Sequence, residues 1–445
     1  MRIICFFAFF TIALTGKCQK VLGLEWTSEK VATVLIKNIE NNLLDPIIKL
    51  NSNDKLRLSF DTFGNTETNY MYSFTHCDSE WKKSDLLPSE YIEGFPENYI
   101  ENYSLSFNTI NNYVHYECVF PNENINFLLS GNYILRVWDP NTMNEIFRRR
   151  VVVYENIVEI KASVKRATFS EDRLSKQEID FEIHHFNIDL KDPQNEIKVV
   201  IQQNDNWENT KNNINPTFIK RGILEYDYDQ EISFDGGSEF NNFDIRSLRF
   251  FSQNIDTIHL KKIQIEKERP KYSYNTYYQL NESCNWTSET SVYLVELKQD
   301  ERKESKSYFE KYDLNGKRII SKDNSYSPEN ESEYTLVKFN LARNKFNKEE
   351  KIYIFGALSN WKINSNFLLE YNSKKNSFEK EILLKQGYYN YQYVTKKSCT
   401  GCIYSIDGNY YETNNEYTIY VYHKSPWERY ERLVGIEKIT SNSLN

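Results

Sequence analysis

The stretch Tyr70-Met-Tyr-Ser-Phe-Thr-His76, running on into Cys77-Asp-Ser-Glu-Trp81, decides the fold. Side chains alternate across a strand, so Tyr70, Tyr72, Phe74 and His76 share one face. Wide rings at every second position suit a pleated, half-buried surface. Upstream, Asp54-Lys-Leu-Arg-Leu-Ser-Phe60 repeats the pattern with Leu56, Leu58 and Phe60 together. Downstream, Tyr113 to Phe120 is a strand stopped by Pro121-Asn122. Ser130-Gly-Asn132 then turns the chain into Tyr133-Ile-Leu-Arg-Val-Trp138, and Phe147 to Tyr154 closes the module. Short strands with no helical period between them predict an antiparallel sandwich over residues 24–155.

The same reading extends along the chain. A second sandwich is expected over 156–300, from the apolar run Ile197, Val199, Val200, Ile201 to the alternating stretch Ile255 to Ile265 and on through Tyr293. A third is expected over 308–423, from Lys351-Ile-Tyr-Ile-Phe355 through Tyr388-Tyr-Asn-Tyr-Gln-Tyr-Val394 to Glu416–Tyr422. Residues 424–445 are polar, end in Ser and Asn, and read as a tail. The fold class is therefore all-β: tandem immunoglobulin/fibronectin-like antiparallel β-sandwich domains. Composition agrees, with 33 Tyr and 27 Phe in 445 residues.

Residues 1–18 read as a signal peptide. Arg2 precedes the apolar run Ile3 to Leu14, too short to span a bilayer as a mature helix. Gly16 and Cys18 place small residues before a cut at Gln19. Cys18 also raises a lipid anchor, but Lys17 stands where lipoprotein processing wants a small side chain, so a soluble mature chain is expected. Its net charge moves from −8 to −10 with the loss of Arg2 and Lys17. That balance argues against a nucleic-acid partner. The one dense basic cluster, Arg148 to Arg150, reads as a solvated strand end.

Few residues suggest chemistry. Cys399-Thr-Gly-Cys402 lies between Tyr-rich strands, without the helix N-terminus a redox pair needs or the second pair a zinc site needs. A disulfide between Cys399 and Cys402, or two free thiols, is the simpler reading. His76 and Cys77 point to opposite faces of a strand and cannot share an ion. Asp235-Gly-Gly lacks the lysine and hydroxyl of a phosphate loop. No nucleophile elbow or zinc-protease motif occurs, and no carboxylate pair stands out. No catalytic residue, cofactor, metal or small-molecule substrate is expected. The third module is similar to glycogen- and starch-binding sandwiches in its Gly356-Ala-Leu-Ser-Asn-Trp361 turn. Trp361 would be a lone stacking wall, so a carbohydrate-binding accessory role is the alternative reading.

An ordered set of segments resembles the plug family of the type IX secretion system. They are His76–Trp81, Glu90-Tyr-Ile-Glu-Gly-Phe95, Asn108-Thr109, Tyr113-x-His115-Tyr116, Leu129-Ser-Gly-Asn-Tyr133 and Arg148-Arg149. Gly236-Gly-Ser-Glu-Phe240, Asp313-Leu-Asn-Gly316, Phe355–Trp361, Leu384–Tyr393, Asp407-Gly-Asn-Tyr410, Glu412–Tyr417 and Arg429-Tyr-Glu-Arg-Leu433 continue it. Ser238 stands where the pattern has Asn. The resemblance implies a non-enzymatic periplasmic protein at the inner face of the outer membrane. It would seal the mouth of a giant translocon β-barrel when no cargo is engaged. Motif density marks Asp78, Trp81, Tyr91, Phe95 and Tyr103 as candidate partner contacts.

Overall fold

In the computed structural model the described residues are 25–41, 43–227, 231–267, 286–302, 313–344, 346–396 and 403–441. The signal segment, Cys284 and the Cys399/Cys402 pair lie outside them. Alternating aromatic strands build the first sandwich as the sequence predicts. One sheet runs in the order Trp26–Thr27, Asn144–Tyr154, Gly131–Asp139, Met71–Cys77, Glu97–Tyr99, with Ile47–Lys49 parallel to Asn144–Tyr154. The facing sheet is Val31–Asn38, Leu56–Phe63, Tyr113–Phe120, Asn102–Leu105. Leu56, Leu58 and Phe60 all point into the core, where Phe60 stacks on Tyr116 at 4.9 Å and meets Phe147 edge-on.

The second sandwich draws on both ends of the remaining chain. One sheet holds Glu159–Arg166, Lys176–His184, Ile223–Tyr226 and Phe218–Lys220, with Ser233–Asp235 beside Lys176–His184. The other runs Asn206–Lys211, Ile197–Gln203, Glu416–His423, Arg432–Thr440. Two expectations are corrected here. Glu416–His423 does not close the third sandwich; it pairs antiparallel with Ile197–Gln203, from Ile197 opposite His423 to Gln203 opposite Tyr417. Nor are residues 424–445 simply a tail, because Arg432–Thr440 forms the next strand of that sheet. The physical reason is apolar pattern: Tyr417, Ile419 and Val421 face the core shared with Val199 and Ile201, and Val434 joins them.

The third sandwich is an insertion within the second. Its sheets are Asn241–Asp244, Gly387–Lys396 and Arg318–Ile320, extended by Ile352–Phe355 and Ile403–Ser405, against Ile255–Lys267, Trp286–Leu297, Tyr334–Ala342, Ser377–Lys385 and Glu370–Asn372. Ile255–Lys267, read from sequence as a second-sandwich strand, belongs here, together with Asn241–Asp244 and Trp286–Leu297 from within the range expected for that sandwich. Phe243, Ile255 and Val295 bury with Phe339, Tyr389 and Tyr391.

The first and third sandwiches share one local device. The Tyr133 hydroxyl donates to the Leu129 carbonyl at 2.7 Å, and the Tyr389 hydroxyl to the Lys385 carbonyl at 2.5 Å. Each ties a strand to the turn that leads into it, as a tyrosine corner does. The turn at Gly131 needs glycine: its φ is 143°, and a Cβ there would lie 2.5 Å from His76 Nε2.

Because Arg432–Thr440 is a paired strand, deleting residues 424–445 is expected to lower the thermal midpoint sharply and open residues 156–235 to protease. Calorimetry and limited proteolysis check this; a dispensable tail would leave both unchanged.

Candidate functional site

The candidate contact residues divide between inside and outside. Trp81 and Tyr91 are 6 % and 3 % exposed, so neither offers a surface to a partner. Asp78 is half-buried, and its Oδ1 accepts from the Glu80 and Lys82 amides at 3.0 and 2.9 Å, shaping the turn that carries Trp81. Phe95 and Tyr103 are 66 % and 45 % exposed. The structure thus separates residues that hold the molecule together from residues open to solvent.

Trp81 belongs to the joint between the first and second sandwiches. Cys77, Trp81, Ile134 and Val152 pack against Val200, Tyr420, Tyr422 and Leu433 in one apolar cluster. Trp81 and Trp207 meet edge-to-face at 4.8 Å, and the Arg150 guanidinium lies 5.1 Å over the Trp81 ring. Polar bonds border the cluster. The Tyr422 hydroxyl donates to Asn132 Oδ1 at 2.9 Å, and the Ser79 amide to Glu431 Oε2 at 2.8 Å. Burial works against the Glu431 charge, but Lys198 Nζ at 2.6 Å and the Ser79 amide outweigh it and hold this carboxyl below its ordinary range. Arg148, Arg149 and Arg150 are buried, which corrects their reading as a solvated strand end. Their strand is covered on both faces.

The first and third sandwiches meet at Asp61. Its carboxylate accepts from the Tyr334 hydroxyl and from Lys385 Nζ, both at 2.6 Å, and lies 2.6 Å from His115 Nδ1. Lys385 Nζ also donates to the Glu329 carbonyl at 2.5 Å and sits 4.2 Å over the Tyr113 ring. Burial lowers the Lys385 pKa and Asp61 opposes that. Asp61 and His115 could orient an imidazole as a base. However, among the described residues no hydroxyl or thiol reaches His115 Nε2. The adjoining cavity, about 60 Å³, has room for water rather than a substrate.

All three sandwiches converge on a third cluster. Lys317 Nζ lies 2.6 Å from Asp205 and 3.8 Å from Asp45, and Lys438 Nζ lies 2.7 Å from Asp45 and pairs with Glu416. Burial and the neighbouring Asp205 push the Asp45 carboxyl well above its ordinary range, against the opposing pull of Lys317 and Lys438. The three acids could frame a metal ion, but the lysine ammoniums already lie among them.

The remaining sequence motifs are structural. His76 Nδ1 lies 2.8 Å from Ser84 Oγ and Nε2 3.1 Å from the Ser130 carbonyl, so both ring nitrogens are committed. Cys77 and Cys118 are free and buried, and burial pushes their thiols up to about 12 and about 11. Such thiols stay protonated and unreactive. Trp361 packs edge-on against Phe355 at 5.4 Å and Phe240 at 6.0 Å. A Cβ on Gly316 would lie 2.4 Å from it, so Trp361 is packed against the Asp313–Gly316 turn. Sequence reasoning missed Asp61 and Tyr334; Lys385 at least stood inside a recognised segment.

An open edge lies on the first sandwich, away from its amino-terminal strands. Glu97–Tyr99 ends one sheet and Asn102–Leu105 ends the other, so the chain crosses from edge to edge here. Phe95, Tyr99, Tyr103, Leu105 and Phe107 along this crossing are all exposed. Apolar side chains grouped on a strand edge are the kind of surface at which protein partners are found, although the Phe107 amide here donates to the Asn330 carbonyl of the third sandwich.

Fold and joints together define a tandem β-sandwich protein whose parts are locked by buried apolar and ionic contacts. Residues 31–155, the first sandwich, match the family model described as Type 9 secretion system plug protein 1st domain. The crystal structure of a hypothetical protein from Parabacteroides merdae ATCC 43184 is similar over 93 % of this chain and 98 % of its own, with 28 % sequence identity and a TM-score of 0.82. No curated protein matches the chain. The domain match supports a role in type IX secretion and an envelope location. Among the described residues, no helix is long and apolar enough to cross a membrane.

The joints generate two expectations. Trp81→Ala empties a packed interface and is expected to cost about 3–5 kcal/mol, and Asp61→Asn, which strands Lys385, a similar amount, about 3–5 kcal/mol; denaturant unfolding measures both, with Phe95→Ala as a near-neutral control. Burial lowers the His76 pKa below its ordinary 6.5. The unfolded chain therefore gains a proton there first as pH falls. Stability from the neutral ring is full above pH 6.5 and lost as pH drops through the lowered folded value. His76→Gln is expected to flatten that part of the stability–pH curve.

Proposed function

We propose that this protein is a non-enzymatic plug that binds the periplasmic mouth of the type IX translocon barrel and closes it when no cargo is engaged. The match of the first sandwich to the plug first domain carries the reading. The joints support it physically. A channel wide enough for folded cargo leaks unless a bulky, prefolded body fills its mouth. Three sandwiches fixed to one another by Trp81, Asp61 and the Asp45 cluster lose little ordering entropy on docking. The exposed edge from Phe95 to Phe107 supplies aromatic surface of the kind enriched at protein interfaces. Phe95 and Tyr103 are its proposed anchors.

Affinity purification from outer membranes tests this. The tagged protein is expected to recover a very large barrel, less of it when cargo or its shuttle is abundant. Phe95→Asp with Tyr103→Asp is expected to reduce recovery at least tenfold, a loss of roughly 1.4 kcal/mol or more, without changing the thermal midpoint. Recovery of no barrel would contradict the plug; undiminished recovery by the variant would move the contact elsewhere.

A further inference from the structure

A cleft of about 760 Å³ lies between the amino-terminal strands of the first sandwich and the flank of the third. Trp26, Thr33 and Phe63 form part of one side, and Arg149, Arg318 and Lys362 also line it. These three cations find only neutral oxygens. Arg149 Nη1 donates to the Trp26 and Arg148 carbonyls at 3.1 and 2.7 Å, and its Nη2 to Thr27 Oγ1 at 2.7 Å. Arg318 donates once, from Nη2 to the Val34 carbonyl at 3.4 Å. Its other four N–H groups have no partner among the described residues. Lys362 Nζ donates to the Glu25 carbonyl.

The carboxylates nearby offset Arg149 and Lys362 only in part, and none bears on Arg318. Glu25 Oε1 accepts from the Arg150 amide at 2.9 Å, Glu381 pairs with Lys261 at 2.7 Å, and Asp61 holds Lys385. Glu29 lies on the exposed rim. Burial lowers the Arg149 pKa to about 10, with Glu25 opposing and Arg318 adding to the effect, and burial lowers Arg318 and, against Glu25 and Glu208, Lys362 as well. Burial, then Arg318, lowers nearby Lys37 to about 8. A guanidinium presents a planar fork of donors that fits carboxylate, sulfate and phosphate oxygens. One held at a cleft with four donors unused, beside two more cations, is arranged for such a group.

We propose that this cleft binds an oxyanion, a carboxylate, sulfate or phosphate group, with Arg318 as the principal donor and Arg149 and Lys362 as flanking charges. This site is separate from the open edge assigned to the barrel and stands whether or not that assignment holds. The cleft is wider than a single tetrahedral ion, so the group can be free or carried on a larger molecule.

Calorimetric titration and thermal unfolding of the whole mature chain test it, with sodium sulfate, phosphate and acetate against chloride at matched ionic strength. At least one oxyanion is expected to bind saturably and raise the midpoint where chloride does not. Arg318→Gln is expected to weaken that binding about tenfold or more, and Lys362→Met to weaken it by a smaller factor. Without anion, Arg318→Gln is expected to be as stable as the parent or more so, because an uncompensated cation has been removed. Tighter binding of a sulfated oligosaccharide than of sulfate would assign the group to a carrier, and equal binding to the free ion. An anion response shared with chloride, or unchanged in Arg318→Gln and Lys362→Met, would overturn the proposal. So would an anion-free loss of stability in Arg318→Gln with an intact response, which would leave the guanidinium as a backbone tie.

Discussion

The return of the chain's last strands to the second sandwich is the constraint on which the rest depends. Glu416–His423 lies between Ile197–Gln203 and Arg432–Thr440. That placement holds both ends of the third sandwich, which leaves the second near Phe240 and returns near Thr413. It also presents Tyr420, Tyr422 and Leu433 to the first sandwich. A single strand pair therefore completes one core and builds half of the joint to another. The backbone ladder gives the register, and the apolar pattern makes a slip costly, since a shift by one residue would turn Tyr417, Ile419 and Val421 out of the core.

Each joint uses a different balance of forces. The Trp81 joint is mostly apolar, with an arginine stacked across two tryptophan rings. The Asp61 joint is a buried ion pair saturated by hydrogen bonds, an arrangement that favours a unique geometry over raw stability. At the Asp45 cluster, three acids and two lysines share a partly buried site, where burial and Asp205 hold the Asp45 carboxyl well up. Buried polar joints tolerate few alternative arrangements, because any displaced partner leaves an unpaired charge. Rigidity across three sandwiches follows from that, and rigidity is what the proposed plug role requires.

Individual strands were legible in the sequence; their partners were not. Alternation says which residues share a face, and it placed Leu56, Leu58, Phe60 and the Tyr388–Val394 run correctly as strands. It does not say which sheet a strand joins, and the strands of three sandwiches look alike. That is why Glu416–His423 and Ile255–Lys267 read as parts of the wrong modules. Alternation also assumes one wet face. Gly131–Asp139 and Asn144–Tyr154 are covered on both faces, so the arginines of Asn144–Tyr154 looked exposed. Asp61 carried no signal, because an acid on the polar side of a strand is ordinary until another domain covers it. Of the proposed contacts, Phe95 and Tyr103 lie where a partner could reach, whereas Trp81 and Tyr91 owe their place in a recognisable motif to packing.

The proposed sealing of the barrel has an electrical readout. The direct measurement is the conductance of the purified translocon barrel in a planar bilayer, with this protein added to the periplasmic side. The account predicts that open-channel current falls to near baseline as the protein saturates the barrel, and returns when the protein is washed away. Current unchanged by saturating protein would contradict it.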